Sequence, residues 1–277
     1  MVTCPDQPGI VAAISQFLFT HGANILHSDQ HTTDPSGGTF YLRVEFELPE
    51  IQRNLTALRE SFAPLAERFQ MEARIALHDV LPRVAIFVSK EDHCLQELLW
   101  HVRAGDIRCQ ISMVVSNHPD LENVVKPFGI PFHVIPIPKE DKVTAERMQR
   151  DLVRGHADVV VLARYMQIVS PQFIGEWPNQ MINIHHSFLP AFVGAKPYHQ
   201  AYQRGVKLIG ATAHFVTSEL DAGPIIEQSV QRVDHRSDVE ELKRLGRQIE
   251  RDVLARAVKW YVEDRVLVHG NRTVVFA

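Results

Sequence analysis

Cysteine is scarce in this chain: three residues in 277, at positions 4, 94 and 109, odd in number and far apart. That arithmetic excludes a disulfide framework and a paired-cysteine metal knuckle, and it points to a reduced, cytoplasmic protein. No apolar run approaches the ~20 residues a membrane span needs, so no membrane partner is expected. The opening residues lack a basic stretch leading into an apolar one, which excludes a secretory signal there. Positive charge is in slight deficit, 29 Lys plus Arg against 33 Asp plus Glu. A net charge of −4 without a basic stripe gives no case for nucleic acid. Glycine is thinly spread, 14 in all, with none between residues 84 and 104. What remains, 45% hydrophobic and 22% charged residues, is ordinary for a globular chain, and the length suits two modest domains better than one.

The first segment, residues 1–78, divides by periodicity. Cys4-Pro5-Asp6-Gln7-Pro8-Gly9 is turn-rich, after which Ile10, Val11, Ile14, Phe17 and Leu18 recur at helical spacing, with Gly22 as the stop. Ile25 to Thr33 reads as a strand and Asp34-Pro35-Ser36-Gly37-Gly38 as a turn. Thr39 to Phe46 alternates, with Phe40, Leu42, Val44 and Phe46 on one face and Arg43 and Glu45 on the other. Leu55, Leu58, Phe62, Leu65 and Phe69 predict an amphipathic helix, and Met71, Ala73, Ile75 and Leu77 a closing strand. Met1 to Thr3 leave only a truncated first strand, short of the usual ~5–6 residues. The order is βαββαβ, the ferredoxin-like pattern.

A polar joint leads into the second segment, residues 82–277, which reads as α/β. Val84 to Val88 is continuously apolar, as a strand buried on both faces requires. A helix through Leu95, Leu98, Leu99 and Val102 follows, then strands at Ile107 to Val115 and Phe132 to Ile135, a helix over 144–154, and an apolar strand at Asp158 to Leu162. This alternation predicts a Rossmann-like, mostly parallel sheet whose ligands bind beyond the carboxyl ends of its strands. Gly205 to Val216 and Ile225 to Val233 read as strands joined by a Gly/Pro loop. Ser237-Asp238-Val239-Glu240 reads as a capping box opening a long helix, with Gly246 as a weak point. Gly270-Asn271 marks a terminal hairpin.

Asn183 and His185 sit two apart on the extended run Met181 to His185, so their side chains share a face. Side by side at a strand end, an amide and an imidazole form a donor pair able to hold a carbonyl oxygen. Asp221, in the loop 217–224, is an acid that a cleft could expose. His214 shares a face with Thr212 and Gly210. Taken singly, each has a plain structural role open to it: an Asp before glycine forms turns, and a strand-end Asn bonds backbone. The four histidines at 185, 186, 199 and 214 match no zinc-ligand spacing, and no metal is expected.

Two resemblances add to these readings. Asp6-Gln7-Pro8-Gly9-Ile10 and Gly22-Ala23-Asn24-Ile25 resemble the ACT domain, a regulatory module. This implies an amino-acid effector contacting Asp6, Gly9, Ile10 and Asn24, and association into a homo-oligomer; a ligand-free dimerisation domain is the alternative. Helix-start N–H groups suit a carboxylate. Asn183-Ile184-His185, Ser187, Leu189-Pro190, then His214 and Asp221-Ala222-Gly223-Pro224-Ile225-Ile226, resemble the Asn–His–Asp signature of the folate-dependent formyltransferase fold. The segment Leu162, Tyr165, Met166, Gln167 and Ile168 is similar to the wall of that family's pterin pocket, and Thr212 joins the substrate-binding set.

The runs 185–192, Pro197-Tyr198-His199-Gln200-Ala201-Tyr202 and Gly270-Asn271-Arg272-Thr273 resemble the deformylase branch of the fold. The implied reaction is hydrolysis of 10-formyltetrahydrofolate to tetrahydrofolate and formate, balancing one-carbon pools and feeding purine biosynthesis, with no cofactor. Asn183 and His185 would hold the formyl oxygen, Asp221 would act on the imidazolium and the water, and His214 would support them. The loop Ser89-Lys90-Glu91-Asp92-His93, acidic and free of glycine, makes a poor phosphate cradle, which favours water over a phosphorylated amine as acceptor. Formyl transfer to an amine and an inactive amino-acid sensor are the competing functions.

Overall fold

The computed structural model describes residues 1–34, 37–138, 140–191 and 197–277, and the chain divides into two compact units, 1–80 with 274–277, and 81–273. Pro35 and Ser36 of the expected turn, and Phe192 of the motif at 185–192, lie outside the described residues.

In the first unit the elements run β1 (Val2–Pro5), α1 (Ile10–Thr20), β2 (Asn24–Thr32), β3 (Thr39–Glu47), α2 (Ile51–Phe69) and β4 (Glu72–Ala73), the βαββαβ order read from the sequence. They form a four-stranded sheet in the order β2-β3-β1-β4, with antiparallel neighbours. Ile10, Ile14 and Leu18 on one stripe of α1 meet Phe62 and Phe69 of α2 over Val2, Cys4, Phe40 and Leu42 of the sheet. The first strand is short, yet it pairs on both sides. The closing strand is shorter than its alternation predicts, spanning Glu72–Ala73, after which Arg74 N still donates to Met1 O.

The second unit continues with β5 (Arg83–Val88), α3 (His93–Ala104), β6 (Gln110–Ser116), α4 (Glu122–Val125), β7 (Phe132–Val134), α5 (Lys142–Val153), β8 (Val159–Leu162), α6 (Pro171–Glu176), β9 (Met181–His185) and α7 (Pro197–Arg204). After these come β10 (Leu208–Phe215), β11 (Ile225–Arg232), α8 (Val239–Val262), β12 (Val266–His269) and β13 (Arg272–Val275), the last two forming a hairpin whose Val274 and Val275 are grouped with the first unit. The seven-stranded sheet has the order β11-β10-β9-β8-β5-β6-β7. Strands β9 to β7 in that list are parallel, and β10 and β11 join antiparallel.

Alternation splits the buried strands between two helical layers. Ala85, Phe87, Val160, Leu162 and Met181 pack with α5 and α6, where Phe87, Phe173 and Trp177 meet edge to face. On the other face α8 lies against β9, β10, β11 and α3. Three details differ from the sequence reading. Helix α8 is capped by Asp238, not Ser237: its carboxylate accepts from Glu241 N at 2.8 Å, so the cap sits one residue later. The helix also runs unbroken through Gly246, whose missing side chain makes room for Tyr198 Oη. Helix α6 went unread, although Ser170 caps it, accepting from Phe173 N, and Pro171 opens it.

Candidate active site

The register of β9 against β10 builds the site. His214 lies directly opposite Asn183, and Thr212 opposite His185, so all four side chains share one face of the ladder. His185 is the last residue of β9, at the carboxyl edge of the parallel sheet. The chain then leaves β10 through a loop that carries Asp221 back over this edge. Two backbone features make that return possible. Asp221 adopts φ 55°, a left-handed conformation that Asp tolerates better than most residues. Gly223 lies so close to β10 that a Cβ there would fall 1.9 Å from Phe215 O, so only glycine fits.

The side chains form two linked pairs. His185 Nδ1 lies 3.3 Å from Asp221 Oδ2, both side chains nearly buried. The hydrogen bond from His185 holds the Asp221 carboxyl below its ordinary range against the opposing effect of burial, so the acid stays ionised. Asn183 Nδ2 lies 3.3 Å from His214 Nε2, and His214 Nδ1 lies 2.8 Å from Phe215 O. A carbonyl oxygen only accepts, so Nδ1 carries the proton. Burial pushes the His214 pKa down, which keeps the ring neutral and leaves Nε2 as an acceptor. The Asn183 amide nitrogen therefore donates to His214, which fixes the amide orientation and leaves its second N–H for another acceptor. His214 approaches Asp221 only at 3.8 Å, so its closer partner is Asn183. His185 Nε2 is buried without a partner among the described residues. An unmet buried polar atom costs about 1–3 kcal/mol, so this nitrogen gains from an incoming hydrogen-bonding partner.

The remaining candidates separate into two kinds. Thr212 is fully buried, donates to Ser187 O, and accepts from Leu189 N and Gln228 Nε2. Its hydroxyl is thus committed to pinning the turn at 187–189. Leu162 and Tyr165 sit in the core, where Tyr165 Oη accepts from Gln149 and its ring meets Phe87 edge to face. Met166 and Ile168 are exposed, and Gln167 is half-buried, so these three present the accessible wall. In the first unit Gly9, at φ 94°, starts α1 without a side-chain cap. Ile10 is buried, Asn24 is exposed at the start of β2, and Asp6 accepts from Thr32 Oγ1 at 2.8 Å.

One polar cluster escaped the sequence reading. Glu250, 1% exposed on α8, accepts at its two oxygens from His93 Nε2 at 2.7 Å and Tyr198 Oη at 2.6 Å. Arg164 Nε lies 3.4 Å from Glu250 Oε2. The sequence did hold a signal: Glu250 falls in the apolar stripe Leu242, Ile249, Val253 and Leu254, where an acid is costly unless paired. His93, Cys94 and Glu250 also have their ligand atoms within 4.8 Å of one another, a spacing a metal ion could use. Glu250 is already balanced by Arg164 and bonded by His93 and Tyr198, which favours an ion-pair network there over a cation site.

The same architecture occurs in known proteins. Residues 82–258 match the formyl transferase family model, and residues 1–61 match the ACT domain model. A formyltetrahydrofolate deformylase of Bacillus subtilis is 56% identical over 277 residues, covering 100% of this chain and 92% of that protein. The crystal structure of a formyltetrahydrofolate deformylase from Pseudomonas syringae superposes with a TM-score of 0.96 at 50% identity, covering 100% of this chain and 93% of that one. A glycinamide ribonucleotide transformylase from Symbiobacterium toebii matches at a TM-score of 0.68 and 30% identity, over 74% of this chain and 99% of that one. No helix among the described residues is long and apolar enough to cross a membrane. With such identity sustained along its whole length, the chain belongs to the formyltetrahydrofolate deformylase family.

Proposed function

We propose that this protein hydrolyses 10-formyltetrahydrofolate to tetrahydrofolate and formate, with Asn183, His185 and Asp221 at the reacting group. The observation that carries this reading is His185, held at Nδ1 by an ionised Asp221 while Nε2 is buried and unmet. Water adds to the formyl carbon, and negative charge builds on the formyl oxygen. The second N–H of Asn183 and a protonated His185 donate to that oxygen; one such donor is typically worth ~10²–10³ in rate. Asp221 stabilises the imidazolium and takes the proton from the attacking water. The C–N10 bond then breaks, N10 receives that proton, and the formic acid produced gives its remaining proton to solvent and leaves as formate. His214 acts through Asn183 by fixing its amide, and Thr212 acts through the turn it pins. Met166, Gln167 and Ile168 form the folate-facing wall.

No metal or organic cofactor enters this scheme. The product fits a role in supplying formate for purine biosynthesis and in balancing one-carbon pools. The three cysteines are buried and unbridged, which suits a reducing cytoplasm. The first unit fits an amino-acid effector near Gly9, Ile10 and Asn24, and β2, the exposed edge of its sheet, suits pairing in a homo-oligomer. Incubation with 10-formyltetrahydrofolate and no amine is the direct test. Formate release at a rate proportional to enzyme is expected; turnover only on adding an amine would overturn the reading.

A further inference from the structure

The sheet reverses its winding at one place. From β5 the chain moves outward to β6 and β7, then returns to β8 on the other side of β5 and on to β9. The crevice beyond the carboxyl ends of β5 and β8 is where such a fold ordinarily receives a ligand. Here it is filled. His93 opens α3 after β5, Arg164 follows the end of β8, and both converge on Glu250 of α8, with Tyr198 of α7 closing the other side. Their side chains are 8%, 13% and 1% exposed for His93, Arg164 and Glu250.

This filling is costly in itself. Arg164 holds φ 62°, a left-handed conformation that an arginine rarely adopts. Its Nε and Nη1 are buried without a well-aligned acceptor among the described residues. Helix α8 gives up a side chain at Gly246, where a Cβ would lie 1.9 Å from Tyr198 Oη. Charge in the interior is no bargain for stability, since apolar side chains of similar volume commonly do as well or better. The cluster also adjoins the reacting centre: the His186 ring lies 6.1 Å from Tyr198 and 5.3 Å from His185.

We propose that Glu250, Arg164, His93 and Tyr198 are a specificity plug, occupying the space beside His185 and His186 that an amine acceptor would need. Water passes it and a larger nucleophile does not. The fold alone does not make that choice, since a transformylase shares it. The proposal rests on the hydrolytic reading above and adds what selects the nucleophile. Exclusion by occupied volume is specificity gained by blocking the competitor rather than by binding water better.

The test is the identity of the product. Arg164→Gly removes the guanidinium and suits the left-handed backbone; Tyr198→Ala opens the opposite wall and keeps the ion pairs. Each variant and the parent are given 10-formyltetrahydrofolate with increasing glycinamide or hydroxylamine, and formate and formylated amine are quantified by mass spectrometry. In an opened site the amine nitrogen bonds to the formyl carbon, the C–N10 bond breaks, N10 gains a proton and the amine loses one. The expected result is a rise of about tenfold or more in the ratio of formylated amine to formate, in at least one variant. Folded variants that release formate and leave that ratio at the parental value would overturn the proposal. So would loss of the fold in both, which would make the cluster a folding element only. Formate release by the parent without amine separately tests the hydrolytic reading, so the two fail independently.

Discussion

Asp221→Asn isolates the charge on the reacting pair. Asn tolerates the left-handed backbone at φ 55°, so the loop keeps its course and only the carboxylate is lost. With Nδ1 and Oδ2 at 3.3 Å and side chains 6% and 10% exposed, the pair is little screened. At an effective dielectric of about 20, the imidazolium loses about 5 kcal/mol of attraction. If the Asn oxygen recovers half of that as a hydrogen bond, about 2.5 kcal/mol is still missing when charge develops on the formyl oxygen. At 1.36 kcal/mol per decade these bounds correspond to a fall in kcat of roughly 10²- to 10⁴-fold. Because Asp221 is assigned no part in the folate-facing wall, KM should move by less than about threefold. The assay is formate release coupled to formate dehydrogenase at saturating substrate, with thermal unfolding as the control for the fold. A folded variant retaining more than about a tenth of parental kcat would refute the assignment of Asp221.

Two further predictions concern stability. Burial, followed by the Arg164 guanidinium, pushes the His186 pKa down from 6.5 to about 4. The unfolded chain therefore takes up a proton between those values while the folded protein does not, so stability falls as pH drops through that window. Linkage gives about 2 kcal/mol lost at pH 5 relative to pH 7, and His186→Asn should remove most of that share from urea midpoints; an unchanged pH slope would count against it. Gly246→Ala, although favoured by helix propensity, should destabilise by about 1–3 kcal/mol, because its Cβ would strike Tyr198 Oη. Differential scanning calorimetry reads this, and a raised Tm would contradict the packing.

The order of elements was legible because burial imposes a period: alternation in β3, continuous apolar runs in β5 and β8, and 3–4 spacing in α1 and α2. The pairing of Asn183 with His185 was legible for the same local reason, since residues two apart on a strand share a face. From the local pattern Asp221 was visible as an acid in a Gly/Pro loop, and its place beside Asn183 and His185 came from the family resemblance. Its 3.3 Å approach to His185 depends on the turn that Gly223 permits against Phe215 O. The tautomer of His214, and hence the orientation of Asn183, depends on a backbone carbonyl that no side-chain pattern reveals. Tyr165 and Leu162 belong to the stretch read as the pterin wall, yet the structure turns them into the core and leaves Met166 and Ile168 outside. Glu250 and His93 are 157 positions apart, and Arg164 and Tyr198 come from two further elements. Local sequence determined the strands and helices because their periodicity is set within a few residues. The tertiary structure alone decided which acids, imidazoles and guanidinium meet, because those contacts are fixed by sheet order and by one helix laid across it.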